Sequence, residues 1–171
     1  MLQFILKLIT LIIPVLCACP PNSTVSPSGV CYALYNNSLD WFHAEAACIK
    51  EGGNLANIPD AFTNSFISSY AKSILGFQNY WVGGLADSSG NYSYWEWIDY
   101  KSFKYTNWAP GQPVYTTPDY CLIQNPADGQ WSAVTCDHRE PYMCEFSNSS
   151  SLCPPSWLHT TAFGGENASD L

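Results

Sequence analysis

Few side chains in this chain are placed to make or break bonds. Asp137 stands beside His138, an acid and a base of the kind a hydrolase triad uses. Neighbours in sequence do not face one another as triad members must, and no Gly-x-Ser-x-Gly elbow supplies a nucleophile. No spacing of Cys and His reads as a zinc site. Catalysis is therefore not expected. The remaining reactive groups are eight cysteines and the sequon asparagines Asn22, Asn36, Asn91, Asn148 and Asn167, which must lie on the surface wherever they carry glycan.

Binding capacity concentrates between residues 107 and 144. The stretch opens Asn107-Trp108-Ala109-Pro110-Gly111-Gln112-Pro113, too rich in Pro and Gly for a helix or an interior strand. Two short apolar runs follow, at 120–123 and 130–134, separated by the turn Pro126-Ala127-Asp128-Gly129. A loop carried on a rigid frame is where binding residues usually sit. Trp108 and Trp131 read as anchors of that loop. Tyr115, inside it, reads equally as packing or as a platform for a sugar ring. Asp128-Gly129 reads as a hairpin turn rather than a ligand pair.

The bulk numbers fix the class. At 171 residues, with 47% hydrophobic and 12% charged residues, the chain fills the core of one domain and is not disordered by composition. A formal net charge of −8 excludes nucleic acid, heparin or an anionic membrane surface as the main partner. Lys7 precedes an apolar run at 8–16, and Ala18 stands before Cys19. That run is about half of the roughly 20 residues a membrane span needs, so residues 1–18 are predicted to be a signal peptide and the protein secreted. An uncleaved anchor and a lipid-modified Cys19 are the alternatives. In an oxidising compartment the cysteines form disulfides rather than metal sites, but counting leaves their pairing open.

The elements around the stretch follow from periodicity. Cys19 to Cys31 encloses Pro20, Pro21, Pro27 and Gly29 and reads as a stapled hairpin, with a strand at 30–35. Ser38 is read as the N-cap of a helix over 39–50 that puts Trp41, Glu45 and Cys48 on one face, and Gly52-Gly53 stops it. A second helix starts at Pro59-Asp60 and ends at Gly76, with Phe62, Phe66, Ile67, Tyr70, Ala71 and Ile74 as its apolar stripe. Strands are predicted at 80–85, at 94–98 with Trp95 and Trp97 on one face, and at 142–146, with a turn at 87–91.

Together these pieces resemble the C-type lectin-like domain. The resemblance rests on the stapled hairpin and on Ala44-Glu45-Ala46-Ala47-Cys48 ahead of Gly52-Gly53-Asn54-Leu55-Ala56-Asn57-Ile58. It rests also on Trp81-Val82-Gly83-Gly84-Leu85, near the family's Trp-Ile-Gly-Leu with one extra glycine, and on Trp95-Glu96-Trp97 before Asn107-Trp108. The Gln112-Pro113 loop and the series Cys121, Cys136, Cys144 complete it. It spans residues 19–146 and leaves 147–171 as a Ser-rich tail. What it implies is an α+β fold: two helices flanking small antiparallel sheets, a long loop, and disulfides Cys19–Cys31, Cys48–Cys144 and Cys121–Cys136.

In sugar-binding members of that family, a Ca²⁺ ion under the long loop is coordinated directly by sugar hydroxyls. Calcium takes six to eight oxygens, with carboxylates supplying countercharge. The corresponding positions here are Gln112, Val114, Asp119, Ser132 and Ala133. Gln112 and Asp119 keep a good donor, Ser132 a weak one, and Val114 and Ala133 none. Such a set does not replace the hydration shell, so no cofactor is expected. The family's cis proline at this point is held by the metal. Without it, the Gln112–Pro113 bond is expected to sample both isomers, which differ by only about 0.5–1 kcal/mol in an X-Pro bond.

The resulting expectation is a secreted, glycosylated, non-catalytic recognition module. It binds a glycan or an extracellular protein through the long loop, with Gln112, Tyr115, Asp119 and Ser132 as ligand-facing residues. Two rivals stand beside it: a Ca²⁺-dependent lectin with altered ligands, which Gln112 would direct to galactose-type sugars, and a structural extracellular component. Cys153 has no partner in the pairing scheme. Cys153-Pro154-Pro155-Ser156 echoes Cys19-Pro20-Pro21-Asn22, so it is read as the vestige of a second repeat, as the bridge of a covalent dimer, or as a capped tail cysteine. A role in defence against microbes is carried by the resemblance alone.

Overall fold

A computed structural model describes residues 19–86, 94–114 and 120–147. The predicted signal peptide at 1–18, the turn at 87–91 with Asn91, Tyr115, Asp119, and the tail with Asn148, Cys153 and Asn167 lie outside the described residues.

The strands β1 (Ser23–Val25) and β2 (Cys31–Leu39) form the expected hairpin, with Val25 opposite Cys31. Helix α1 spans Trp41–Lys50, and its N-cap is Asp40, whose carboxylate accepts from the His43 N–H at 3.1 Å. Ser38 does not cap it. β2 continues through Leu39, which pairs with Glu140, so the backbone at Ser38 is committed to the sheet and the first free oxygen beyond the strand is that of Asp40. Trp41, Glu45 and Cys48 all point inward, as their spacing requires.

Helix α2 spans Ala61–Leu75, capped by Asp60 and ended by Gly76 at φ +67°. Its buried face corrects the expected stripe. Asn64, Ile67, Ser68 and Ala71 point inward, at i, i+3, i+4 and i+7, whereas Phe62 is 89% exposed and Ile74 46%. Asn64 and Ser68 hold interior positions in place of Phe62 and Ile74, and the Asn64 amide finds hydrogen-bond partners there in Gln124, Gly129 and Trp131.

The remaining strands are β3 (Asn54–Leu55), β4 (Tyr80–Ala86), β5 (Trp95–Trp97), β6 (Tyr120–Gln124), β7 (Trp131–Thr135) and β8 (Glu140–Phe146). They join β1 and β2 in one mixed sheet of order β1-β2-β8-β4-β6-β7, with β3 on β8 and β5 on β4. All pairings among them are antiparallel except β4 with β8, through Trp81 and Tyr142. Strand alternation feeds two cores on opposite sides. Trp81, Cys121, Ile123 and Cys144 pack with Trp41 and Cys48 of α1. Tyr80, Val82, Leu122 and Met143 pack with Ile67 and Ala71 of α2.

The extra glycine sits inside β4, where the β4–β6 register shifts between Trp81 and Leu85. A Cβ on Gly83 would lie 2.7 Å from the Leu55 carbonyl oxygen, and one on Gly84 2.8 Å from the Leu122 Cβ. Both neighbouring chains therefore approach closer than any side chain permits. The disulfides are Cys19–Cys31, Cys48–Cys144 and Cys121–Cys136, with Cα separations of 5.5, 5.5 and 5.0 Å. Among the described residues no helix is long and apolar enough to cross a membrane.

Candidate functional site

The long loop leaves the domain at Asn107 and is held to β7 along its first half. Trp131 N–H donates to Asn107 O and Ala109 N–H donates to Trp131 O, each at 2.9 Å, so the loop base runs as a short parallel bridge beside the strand. Gly111, at φ +80°, turns the chain, and Gln112 N–H closes the turn on Ala109 O at 2.9 Å. The Gln112–Pro113 peptide is cis.

Side chains fix what the backbone starts. The Gln112 amide oxygen accepts from Val114 N–H at 3.2 Å and from Ala133 N–H at 3.1 Å. An amide oxygen has two lone pairs, and both are now in use. Val114 presents an apolar side chain that is 50% exposed. Ala133 is buried beside Trp131, while Ser132 between them faces the opposite side of β7 by strand alternation. The structure thus joins Gln112, Val114 and Ala133 and sets Ser132 apart. Among the described residues no group of three His, Cys, Asp or Glu side chains comes together. By donor count these residues do not fit calcium: one oxygen is already shared by two amides, and two positions offer hydrocarbon.

Beneath the loop lies an aromatic block. Trp131 is fully buried and meets the rings of Trp97, Phe103, Tyr105 and Trp108 nearly edge-on, at centroid distances of 5.5 to 6.0 Å. Trp131 anchors the core, as expected, while Trp108 is half-buried against it.

Sequence reasoning missed the polar hub under this block. Asn64 Oδ1 accepts from Trp131 Nε1 at 2.8 Å and from Gln124 Nε2 at 2.7 Å. The Gly129 carbonyl accepts from Asn64 Nδ2, Gln124 Nε2 and Asn107 Nδ2 at 3.1, 3.0 and 2.8 Å. The buried Tyr80 hydroxyl donates to Gln124 Oε1, and burial pushes that phenol well above its usual range. One cluster therefore ties α2, β4, β6, the β6–β7 turn and the loop base. Its only trace in the sequence is an Asn at a helix position that apolar periodicity assigns to solvent.

A second network braces the far end of the sheet. Glu145 accepts from Asn57 N–H at 3.0 Å, from Asn57 Nδ2 at 2.9 Å and from Lys101 Nζ at 3.1 Å. Asp99 accepts from the same two side chains at 2.7 and 2.6 Å. Burial raises the Glu145 carboxyl, opposed by the Lys101 charge. Glu45 is likewise raised by burial, and accepts from Leu55 N–H at 2.7 Å.

Residues 37–146 match the family described as Lectin C-type domain. The chain is 32% identical over 129 residues to the galactose-specific lectin nattectin of Thalassophryne nattereri, covering 74% of this chain and 79% of that protein. Human lithostathine superposes with a TM-score of 0.69 at 25% identity, covering 82% of this chain and 99% of that one. A calcium-independent type II antifreeze protein superposes with a TM-score of 0.66, also at 25% identity, covering 76% and 95%. On sequence, topology and disulfides alike, this chain belongs to the C-type lectin domain family, a family of non-catalytic binding domains.

Proposed function

We infer that this chain is a secreted recognition module that engages its ligand through the long loop without the usual calcium site. The observation that carries this reading is the state of Gln112: its side-chain oxygen is taken up by the amides of Val114 and Ala133. The loop is thereby closed by protein hydrogen bonds where a metal would otherwise organise it. The likeness to a galactose-specific lectin supports a glycan as ligand, and the likeness to a calcium-independent antifreeze protein supports loss of the metal within this fold. Tyr115 and Asp119 belong to the proposed ligand surface, whereas Ser132, expected there from the sequence, lies on the opposite side of β7 from Ala133 and is left out of it. Asn22 and Asn36, both exposed, belong to the proposed glycosylation sites, together with Asn91, Asn148 and Asn167. Secretion with removal of residues 1–18 is part of the same reading, while Cys153 stays open between a covalent dimer, the vestige of a second repeat and a capped tail cysteine.

The test is a thermal melt and a glycan array, each run with millimolar Ca²⁺ and with chelator. Superimposable melts and chelator-resistant glycan binding are expected. A melt that rises by several degrees with Ca²⁺, or galactose binding abolished by chelator, would overturn the metal-free reading.

A further inference from the structure

Beside the base of the long loop, the segment from Tyr94 to Phe103 forms a cleft of about 460 Å³ lined by Tyr94, Glu96, Tyr100, Lys101, Ser102 and Phe103, with the buried Trp95, whose ring meets Trp108 at 4.9 Å, at its wall. Its size falls within the roughly 300–1,000 Å³ of small-molecule sites. Three side chains of the cleft take no part in the packing and hydrogen-bond networks described above.

The first is Tyr100. Its backbone is left-handed, at φ +60°, and its N–H closes a turn onto Trp97 O at 2.8 Å. Glycine, asparagine and aspartate accept that conformation readily, whereas a bulky aromatic residue does not. Burial does not compensate it, because Tyr100 is 86% exposed. The second is Tyr94, 60% exposed on the same cleft. The third is Glu96, whose carboxylate makes no hydrogen bond or ion pair among the described residues although its residue is only half exposed. The turn that carries Asp99 and Lys101 does not itself call for an aromatic residue at that position, and costly backbone conformations cluster at binding sites.

From this juxtaposition we propose that the Tyr94–Phe103 cleft is a second, metal-free binding site for a neutral oligosaccharide. The rings of Tyr94 and Tyr100 stack on the C–H face of a pyranose, and Glu96 accepts its hydroxyls. Exposed aromatic rings with a polar tip suit such a ligand, apolar on one face and hydroxylated at its edge. An acidic sugar is disfavoured. The cation at the cleft, Lys101, already holds Asp99 at 2.6 Å and Glu145 at 3.1 Å, so Glu96 sets the sign of the charge a ligand meets.

The full secreted chain, ¹⁵N-labelled and in chelator, is titrated with lactose, mannotriose, chitotriose and laminaritriose, and with 3′-sialyllactose as the acidic comparison, each to about 10 mM. At least one neutral sugar is expected to shift the amides of residues 94–103 more strongly than those of 107–114 and 131–134, and sialyllactose to leave them in place. Tyr100→Gly separates binding from folding: glycine relieves the backbone, so the melting temperature holds or rises while affinity falls at least tenfold. Glu96→Gln is expected to weaken binding without moving the melt. The proposal is overturned if no neutral sugar shifts 94–103, if shifts map only to the long loop, or if Tyr100→Gly binds as the parent does. Shifts at 94–103 in a protein whose melt responds to calcium would support this site while rejecting the metal-free reading of the loop.

Discussion

Trp131 and Asn64 lie 67 positions apart in the chain, yet the indole Nε1 donates to the amide Oδ1 at 2.8 Å, both residues being buried. Because the same oxygen takes Gln124 Nε2, Asn64 satisfies two interior donors at once. Replacing it by Ala leaves the indole and the Gln124 amide with one buried donor fewer satisfied on each side. Each orphaned buried group costs about 1–3 kcal/mol, so N64A is expected to lose roughly 2–4 kcal/mol in urea unfolding. A loss below about 0.5 kcal/mol, the scale of a surface substitution, would show that the hub is not structural.

Gly129 is expected to reject alanine. Its φ is +72°, and an added Cβ would stand 2.6 Å from Asn64 Nδ2. The left-handed conformation alone disfavours a Cβ by roughly 1–2 kcal/mol, and the clash adds to it. G129A should therefore lower the urea midpoint and broaden the Trp131 indole resonance, while Gly76→Ala, where a Cβ meets nothing within 4 Å, shows only the backbone effect.

Gln112→Ala tests the closure of the loop. The substitution removes the acceptor of the Val114 and Ala133 amides. Hydrogen exchange at both is expected to accelerate, with a stability loss of about 1–2 kcal/mol for two net hydrogen bonds. Unchanged protection at Ala133 would mean that the side chain does not hold the strand.

The pH dependence has a definite sign. Burial raises the carboxyls of Glu45 and Glu145 above the usual 4.5. The folded state therefore holds those protons more tightly than the unfolded chain does. Stability is fullest below 4.5 and falls as pH rises through the raised values. Asp40, lowered chiefly by its hydrogen bond to His43, acts in the opposite sense only below its usual 3.8. The thermal midpoint is expected to peak on the acid side of neutrality. Glu45→Gln keeps an acceptor for Leu55 N–H and should flatten the decline above 4.5; an unaltered slope would exclude Glu45 as its source.

Disulfide removal is expected to scale with the loop closed. Cys48–Cys144 spans 96 positions and Cys121–Cys136 spans 15. In the chain-entropy model their loss costs roughly 4–5 and about 3 kcal/mol. Paired alanine variants compared by denaturant unfolding check the order. A larger loss for the short loop would place the effect in native packing instead.

Glycines, caps and strand alternation made most of the fold legible. Asp60, Gly76, Gly52-Gly53 and the buried pair Trp95 and Trp97 stand where local chemistry puts them. Two failures have one cause. Ser38 has the right side chain for a cap but lies inside β2, whose next residue Leu39 pairs with Glu140 of β8, and Phe62 fits the stripe of α2 but stays exposed while Asn64 is buried. In both, a partner distant in sequence decided between local options of similar energy, and one chain read alone does not show the partner. The state of Gln112 was illegible for the same reason: the residue type advertises an oxygen, whereas its availability depends on an amide 21 positions away.

The sheet order separates the ends of the domain from its loop. β1, β2 and β8 form one flank, where Phe146 pairs with Cys31, while β7, which carries the loop, is the opposite edge. Entry and exit of the chain thus share a single anchorage. A fusion joined at Cys19 or after Phe146 therefore meets the flank of β1, β2 and β8 and not the edge strand β7 on which the loop base is held.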